Sequence, residues 1–162
     1  MIKIQKKKIY IIMYHYVRDV KISNYPNLKA LETKKFIEQI NFFSKNFNLL
    51  NYNDFNEILS SKKIPLKPSI LLTFDDGYID NYEVAYPILK EEEISAIFFI
   101  PTDYVDSELI PWWDEIAWML KNTTKKAFCF GESGTVHLNG STVDKVIRNF
   151  LTVIKTDPRP MD

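Results

Sequence analysis

Short apolar runs alternate with amphipathic stretches along the N-terminal part of the chain. Three runs have strand length and are rich in β-branched and aromatic residues: Ile9–Val17, Ser69–Phe74 and Ala96–Ile100. Such runs predict buried strands. From Thr33 to Phe47 the apolar residues instead recur at helical spacing, at Phe36, Ile40, Phe43 and Phe47, which predicts an amphipathic helix. The alternation of strands and helices predicts an α/β fold with parallel strands.

A second helix is predicted after the sequence Asp75-Asp76-Gly77. Its apolar face would carry Tyr82, Ala85, Tyr86 and Leu89. We expect Tyr82 to pack in the core. Pro87 lies inside the pattern and should kink or restart the helix, because proline lacks the N–H that a helix interior needs.

The pattern changes after Pro101. A helix is predicted around Trp112–Leu120, and Ala127–Phe130 and Thr135–Leu138 are expected to pair as a hairpin. Ser141 and Asp144 resemble a capping box that begins a last amphipathic helix. We expect residues 9–162 to form a single domain, preceded by a basic tail at residues 1–8.

Composition removes several classes of protein. The 162 residues carry 21 Lys plus Arg and 21 Asp plus Glu, so the chain lacks the excess positive charge that nucleic-acid binding favours. With one cysteine, Cys129, neither a disulfide framework nor a cysteine-rich zinc site can form within the chain. The apolar run at Ile9–Met13 is too short for a signal peptide or a transmembrane helix. We therefore expect a cytoplasmic location.

The candidate chemistry centres on Asp75 and Asp76, which follow a predicted buried strand. Parallel α/β folds build their sites at the carboxyl ends of strands. Of two adjacent carboxylates, one can bind a metal while the other takes a proton from water. Gly77 allows a tight turn. Asp-Asp-Gly is also ordinary turn chemistry, so the three residues alone leave both interpretations open.

The residues around the acidic pair resemble a known family. The stretch from Ile70 to Tyr78, Ile-Leu-Leu-Thr-Phe-Asp-Asp-Gly-Tyr, is similar to the first motif of the polysaccharide deacetylases, the NodB-homology or family 4 carbohydrate esterases. Downstream, Tyr86-Pro87-Ile88-Leu89 and the Phe-Phe-Ile that ends at Ile100 extend the similarity. The Met-Tyr-His-Tyr-Val that ends at Val17 resembles the first strand of the subgroup that deacetylates poly-N-acetylglucosamine.

The resemblance implies a fold and an activity. The fold would be the N-terminal part of a distorted (β/α) barrel, followed by an insert of helices and a short hairpin. The activity would be metal-dependent hydrolysis of N-acetyl or O-acetyl groups on a polysaccharide or glycan. For an N-acetyl group the bond broken is a carbon–nitrogen bond that is not a peptide bond. By motif, Asp75 would be the general base and Asp76 a ligand of a divalent metal, by expectation zinc. His15 and Tyr78 would lie at the pocket, Tyr78 as a substrate contact.

One part of the family pattern is missing. The family takes two further metal ligands from a His-x-x-x-His segment, and the two histidines of this chain, His15 and His137, are far apart in sequence. We therefore expect a truncated, incomplete enzyme with a weak or absent metal site. The alternative is a non-catalytic carbohydrate-binding or scaffold remnant. A phosphatase of the haloacid-dehalogenase type is disfavoured because it needs Asp-x-Asp, and position 77 is glycine.

An incomplete barrel also predicts self-association. The strand Ile9–Val17 would have an exposed edge that can pair with another chain. Alternate residues of the other strands would be exposed on the barrel's interior face: Ile70, Leu72, Phe74, Ile97 and Phe99.

Overall fold

The structure is a computed structural model that describes residues 8–22, 29–61, 65–129, 134–139 and 143–156. The expected capping serine, Ser141, and the basic tail at residues 1–7 lie outside this part. The chain divides into two compact units, Met1–Pro101 and Thr102–Asp162, called here the N-terminal and C-terminal units. Each unit is described by itself.

The N-terminal unit is a parallel sheet covered by helices. Its strands are β1 (Ile9–Tyr14), β2 (Asn48–Leu49), β3 (Ser69–Phe74) and β4 (Ala96–Phe98). Its helices are α1 (Thr33–Asn46), α2 (Tyr52–Ser61), a π-helix (Asn81–Ala85) and α3 (Tyr86–Glu91), with a short 3₁₀ turn at Val20–Ile22.

Strand β3 is the centre of the sheet. It pairs in parallel with β1 over its whole length, from Ile9 opposite Ser69 to Tyr14 opposite Phe74. It also pairs in parallel with β2 at its beginning and with β4 at its end. The three predicted strands are therefore parallel neighbours, as expected, and their carboxyl ends share one edge of the sheet.

The first strand is shorter than predicted. It ends at Tyr14 and not at Val17, because the chain leaves β3 there: Val17 forms an isolated parallel bridge with Leu31. Backbone hydrogen bonds of 3.0 Å join Leu31 N–H to the Tyr16 carbonyl and Arg18 N–H to the Leu31 carbonyl. His15 and Tyr16 consequently lie in a bend beyond the strand.

The core lies between β3 and the helices. Ile70, Leu72 and Phe74 point to the same face of β3 and are at most 1% exposed, packed against Phe36 and Ile40 of α1. The prediction that these three β3 side chains are exposed is wrong, because α1 and α3 cover that face. Fully burying each such side chain contributes about 1.5–3 kcal/mol. Exposed apolar side chains instead include Ile11 and Met13 of β1, which alternate with the buried face, Phe98 of β4, and Phe99 just beyond β4, which was expected to be exposed.

The helix after the acidic pair restarts near Pro87, as its sequence predicts. A single π-helical stretch comes first, and α3 then begins with Pro87 in its first turn. A π-helix has more residues per turn than an α-helix, so it changes which residues lie on the buried face. Ala85 and Leu89 are buried, but Tyr82 is 71% exposed, so the prediction of Tyr82 as a core residue is wrong.

The C-terminal unit contains two helices and a hairpin. These are α4 (Trp112–Asn122), the antiparallel strands β5 (Ala127–Cys129) and β6 (Thr135–His137), and α5 (Val143–Thr156), with a 3₁₀ turn at Thr102–Tyr104. The predicted helix, hairpin and last helix are all present. Phe128 of the hairpin and Phe150 of α5 pack with their ring centroids 5.9 Å apart. Across the described residues, no helix combines the length and apolar character needed to cross a membrane.

Candidate functional site

Asp75 and Asp76 occupy a strained turn at the carboxyl end of β3. Asp76 has φ = 71° and Gly77 has φ = 63°, so both are in the left-handed region. A Cβ on residue 77 would lie 3.2 Å from Cγ2 of Ile100. Glycine is therefore favoured at 77 mainly by the left-handed backbone, and the movable Ile100 side chain adds a smaller constraint. Left-handed backbone at an aspartate is uncommon and is concentrated at functional sites.

His15 approaches the acidic pair from the neighbouring strand. Because Tyr14 lies opposite Phe74 in the β1–β3 register, the residues that follow each strand meet at one edge. The Nε2 atom of His15 lies 3.9 Å from Oδ2 of Asp76, and the two side chains are 43% and 21% exposed. The expected placement of His15 within side-chain reach of the pair is thus observed. The pair is partly open to solvent, as a site that exchanges substrate must be.

Two stacked tyrosines form one side of this region. The rings of Tyr16 and Tyr78 are 4.0 Å apart at an angle of 29°. The guanidinium of Arg18 lies 5.1 Å from the centre of the Tyr16 ring, within cation–π range. Tyr78 therefore lies beside the acidic pair as the sequence predicts, but it is held by Tyr16. Its predicted role as a substrate contact stays a prediction.

Two buried polar residues lie directly behind the acidic turn; the family resemblance extends over Asp80 and Asn81, but the sequence assigned them no role. Asp80, 4% exposed, accepts hydrogen bonds from Nε and a terminal nitrogen of Arg18 at 3.0 and 2.8 Å. It also accepts one from Val17 N–H at 2.8 Å. Asn81, 3% exposed, donates to the carbonyl of Asp75 at 3.4 Å. The available signal was a pair of polar residues, Asp80-Asn81, where an apolar helix face begins.

Below the site, Tyr14 is a buried polar support. Its hydroxyl donates to Oε1 of Gln39 at 2.8 Å, and its ring stacks on Phe74 with centroids 5.1 Å apart. Burial raises the pKa of Tyr14 to about 12, so the hydroxyl stays neutral at any physiological pH. Tyr14 joins β1 to α1 and takes no part in proton transfer.

The described residues do not supply a complete metal site. Within them, no group of three or more His, Cys, Asp or Glu side chains is close enough to hold a metal ion. His137 lies exposed on β6 in the C-terminal unit. A catalytic zinc site needs about three protein ligands. The donors nearest the end of β3 are His15 and Asp76, 3.9 Å apart, with Asp75 adjacent to Asp76 in sequence.

Comparison with known proteins connects this geometry to a family. Residues 62–127 match the family model "Polysaccharide deacetylase". The chain is also 33% identical over 94 residues to YxkH of Bacillus subtilis (strain 168), whose own name as a polysaccharide deacetylase is provisional. That match covers 57% of this chain and 32% of YxkH, so the chain spans about a third of its relative's length.

Two solved structures have a similar fold. The deacetylase PplD of Streptococcus pyogenes, solved with acetate, is 26% identical with a TM-score of 0.52, over 72% of this chain and 54% of PplD. IcaB from Ammonifex degensii is 23% identical with a TM-score of 0.55, over 72% of this chain and 50% of IcaB. The fold is thus the α/β arrangement of deacetylases. Residues 62–127 are thus similar to the polysaccharide deacetylases, and the fold around them resembles that of solved deacetylases.

Proposed function

We propose that the chain carries the acid–base part of a metal-dependent deacetylase site that acts on acetylated carbohydrate. The observation that supports this most is the convergence of His15 on Asp76, 3.9 Å apart, directly after a family-matching strand and turn. PplD, at 26% identity, is a deacetylase, and its structure with acetate is consistent with the release of an acetyl group. In this proposal the sheet is part of a distorted barrel.

Each residue has a role in the proposal. Asp75 is the general base and accepts a proton from the water that attacks the acetyl carbonyl. Asp76 and His15 are ligands of a divalent metal, zinc by the chemistry of a carboxylate and an imidazole. Tyr78 forms a flat apolar wall for a sugar ring. In this proposal one carboxylate, Asp75, accepts the proton, and the other, Asp76, binds the cation.

The proposed metal site does not fit a complete catalytic centre on the described residues. Two ligands and a neighbouring carboxylate fall short of the three protein ligands that catalytic zinc sites use. When bound, such a metal would polarise the acetyl carbonyl. Because the ligand set is incomplete, we expect weak zinc binding and low deacetylase activity from this 162-residue chain.

Zinc affinity and acetate release test these roles separately. Zinc affinity is measured by competition with a chromophoric chelator, and acetate release with N-acetylglucosamine oligomers. Asp76→Asn and His15→Gln should each weaken zinc binding, whereas Asp75→Asn should leave zinc binding near the wild-type value and abolish residual acetate release. Glu83→Gln is the matched control, because it removes one negative charge from an exposed side chain, as the Asp→Asn changes do. Zinc binding that survives both Asp76→Asn and His15→Gln would contradict the proposal.

A non-catalytic carbohydrate-binding domain is the second candidate. The incomplete ligand set among the described residues favours it. A chain that binds acetylated oligomers through Tyr78, yet releases no acetate at any zinc concentration, would fit this candidate. Robust zinc-dependent release that Asp75→Asn removes would exclude it.

We also propose that the chain self-associates through the sheet. Within the described residues β1 pairs only with β3, and Ile11 and Met13 are 57% and 56% exposed. A strand that presents exposed apolar side chains favours association with another chain. Sedimentation at micromolar concentration should show oligomers that Ile11→Lys reduces, because charge on an edge strand opposes pairing. A monodisperse wild-type monomer would contradict this proposal.

A further inference from the structure

The bend that carries His15 is held at both of its ends by one short segment after β3. At its start, Asp75 N–H donates to the Tyr14 carbonyl at 2.9 Å. At its end, Val17 N–H donates to the carboxylate of Asp80 at 2.8 Å. His15 and Tyr16 are the two residues between these anchors. The segment from Asp75 to Asp80 therefore holds the bend from one side, while Leu31 bonds the Tyr16 carbonyl and the Arg18 N–H from another.

The second anchor is the stronger one. Asp80 is almost fully buried, and Arg18 contacts both of its oxygens in a two-pronged arrangement. Charge-assisted, two-pronged pairs of this kind are shorter and more directional than neutral hydrogen bonds. Arg18 also lies over Tyr16, which stacks on Tyr78. The Asp80 carboxylate thus holds the backbone at Val17 and also holds Arg18, which lies over the Tyr16 ring next to His15.

The neighbouring residue acts on the acidic turn. Asn81, adjacent to Asp80 in sequence, donates to the Asp75 carbonyl. Both residues lie where the π-helix begins: Asp80 immediately precedes it and Asn81 is its first residue. Single π-helical turns within helices occur frequently at functional sites, because the inserted residue redirects side chains. Here the π-turn presents two consecutive polar side chains to two different loops.

We propose that Asp80 is a positioning residue, which with Arg18 holds His15 against Asp76 for the proposed deacetylase reaction. This inference rests on the proposed function for its purpose, but its geometry does not depend on catalysis. Asp80 and Arg18 would touch neither substrate nor metal. Their effect passes through Val17 and Tyr16 to the imidazole.

The test compares full-length wild-type chain with Asp80→Asn, which keeps the shape of the side chain and removes its charge. The chain has two histidines, so its histidine-ring NMR spectrum contains two sets of signals, assigned with His137→Gln. Spectra are recorded above the histidine titration range, without metal or substrate. The second readout is amide hydrogen exchange at Val17, with the amide of Leu72 in β3 as the internal reference.

Asp80→Asn should speed exchange at Val17 roughly 10–100-fold, the equivalent of one hydrogen bond to a charged group. It should also move the His15 ring signals toward their positions in an unstructured peptide, while those of His137 stay unchanged. Glu83→Gln should change neither readout. Arg18→Lys, which keeps the charge but not the two-pronged contact, should give an intermediate shift of His15.

Two results would overturn the proposal. One is unchanged exchange at Val17 in Asp80→Asn. The other is faster exchange at Val17 with His15 ring signals identical to wild type. If Asp80→Asn also speeds hydrogen exchange at the Leu72 amide, that variant has lost its fold. The proposal is then tested with Arg18→Lys, by the same exchange and histidine-ring measurements. Because no metal or substrate is present, these results are independent of whether Asp75→Asn affects acetate release.

Discussion

Replacing Gly77 with alanine is expected to destabilise the N-terminal unit by about 1–2 kcal/mol. The backbone at Gly77 has φ = 63°, and a residue with a Cβ in this left-handed conformation costs roughly 1–2 kcal/mol relative to glycine. The new Cβ would also lie 3.2 Å from Cγ2 of Ile100. Ile100 is 60% exposed, so its side chain can move aside, and this contact should add little to the cost.

Three further variants separate the two contributions. Gly134→Ala is the matched control for the backbone, because Gly134 has φ = 79° and a Cβ added there would meet no atom of the described residues within 4 Å. Gly77→Ala combined with Ile100→Ala removes the side-chain contact and should recover only a small part of the loss. Gly77→Asn should be less destabilising than Gly77→Ala, because asparagine tolerates the left-handed region better.

The two units can be followed with different probes. The three tryptophans, Trp112, Trp113 and Trp118, all lie in the C-terminal unit, so their fluorescence reports Gly134→Ala. Far-ultraviolet circular dichroism follows the helices and strands of both units, so a transition that it shows and tryptophan fluorescence does not reports the N-terminal unit. For a domain of this size, each kcal/mol should lower Tm by about 4–8 °C. An unchanged Tm in Gly77→Ala, or full recovery with Ile100→Ala, would refute the reasoning from backbone conformation.

Two other substitutions test the core and its support. Because the folded-state pKa of Tyr14 is raised from 10.0 to about 12, its contribution to stability is complete below pH 10 and is lost as pH rises toward 12. In denaturant titrations, Tyr14→Phe should flatten this alkaline loss of stability, whereas Tyr52→Phe at an exposed position should not. Equal pH slopes for both variants would contradict the assignment. Phe74→Ala should lower the free energy of unfolding by about 3–5 kcal/mol because Phe74 is 0% exposed. Phe98→Ala should lower it clearly less, because Phe98, which stacks on Phe74, is 36% exposed. Equal losses of stability in urea unfolding would show that β4 is packed differently.

Local patterns were sufficient for the elements and for the centre of the candidate site. The apolar run at Ser69–Phe74 predicts the bounds of β3 as the structure has them. The placement of Asp75 and Asp76 after that strand, and of His15 near the same edge of the sheet, follows from a general property of parallel sheets, whose strands end at one edge. These features depend on residues close in sequence or on a symmetry of the architecture, so periodicity and strand order predict them.

The tertiary structure decided what holds the site and which faces are covered. Arg18 and Asp80 are 62 residues apart, and their pairing requires β1 and β3 to be neighbours with a defined register. Nothing in either local sequence marks that partner, because a buried ion pair is favourable only in the geometry that the fold creates. Tyr82 became exposed through the π-turn, which changes the helical period that the pattern assumed. Sequence periodicity thus determined the elements of this protein, and the long-range packing of those elements determined which polar side chains could be buried and paired.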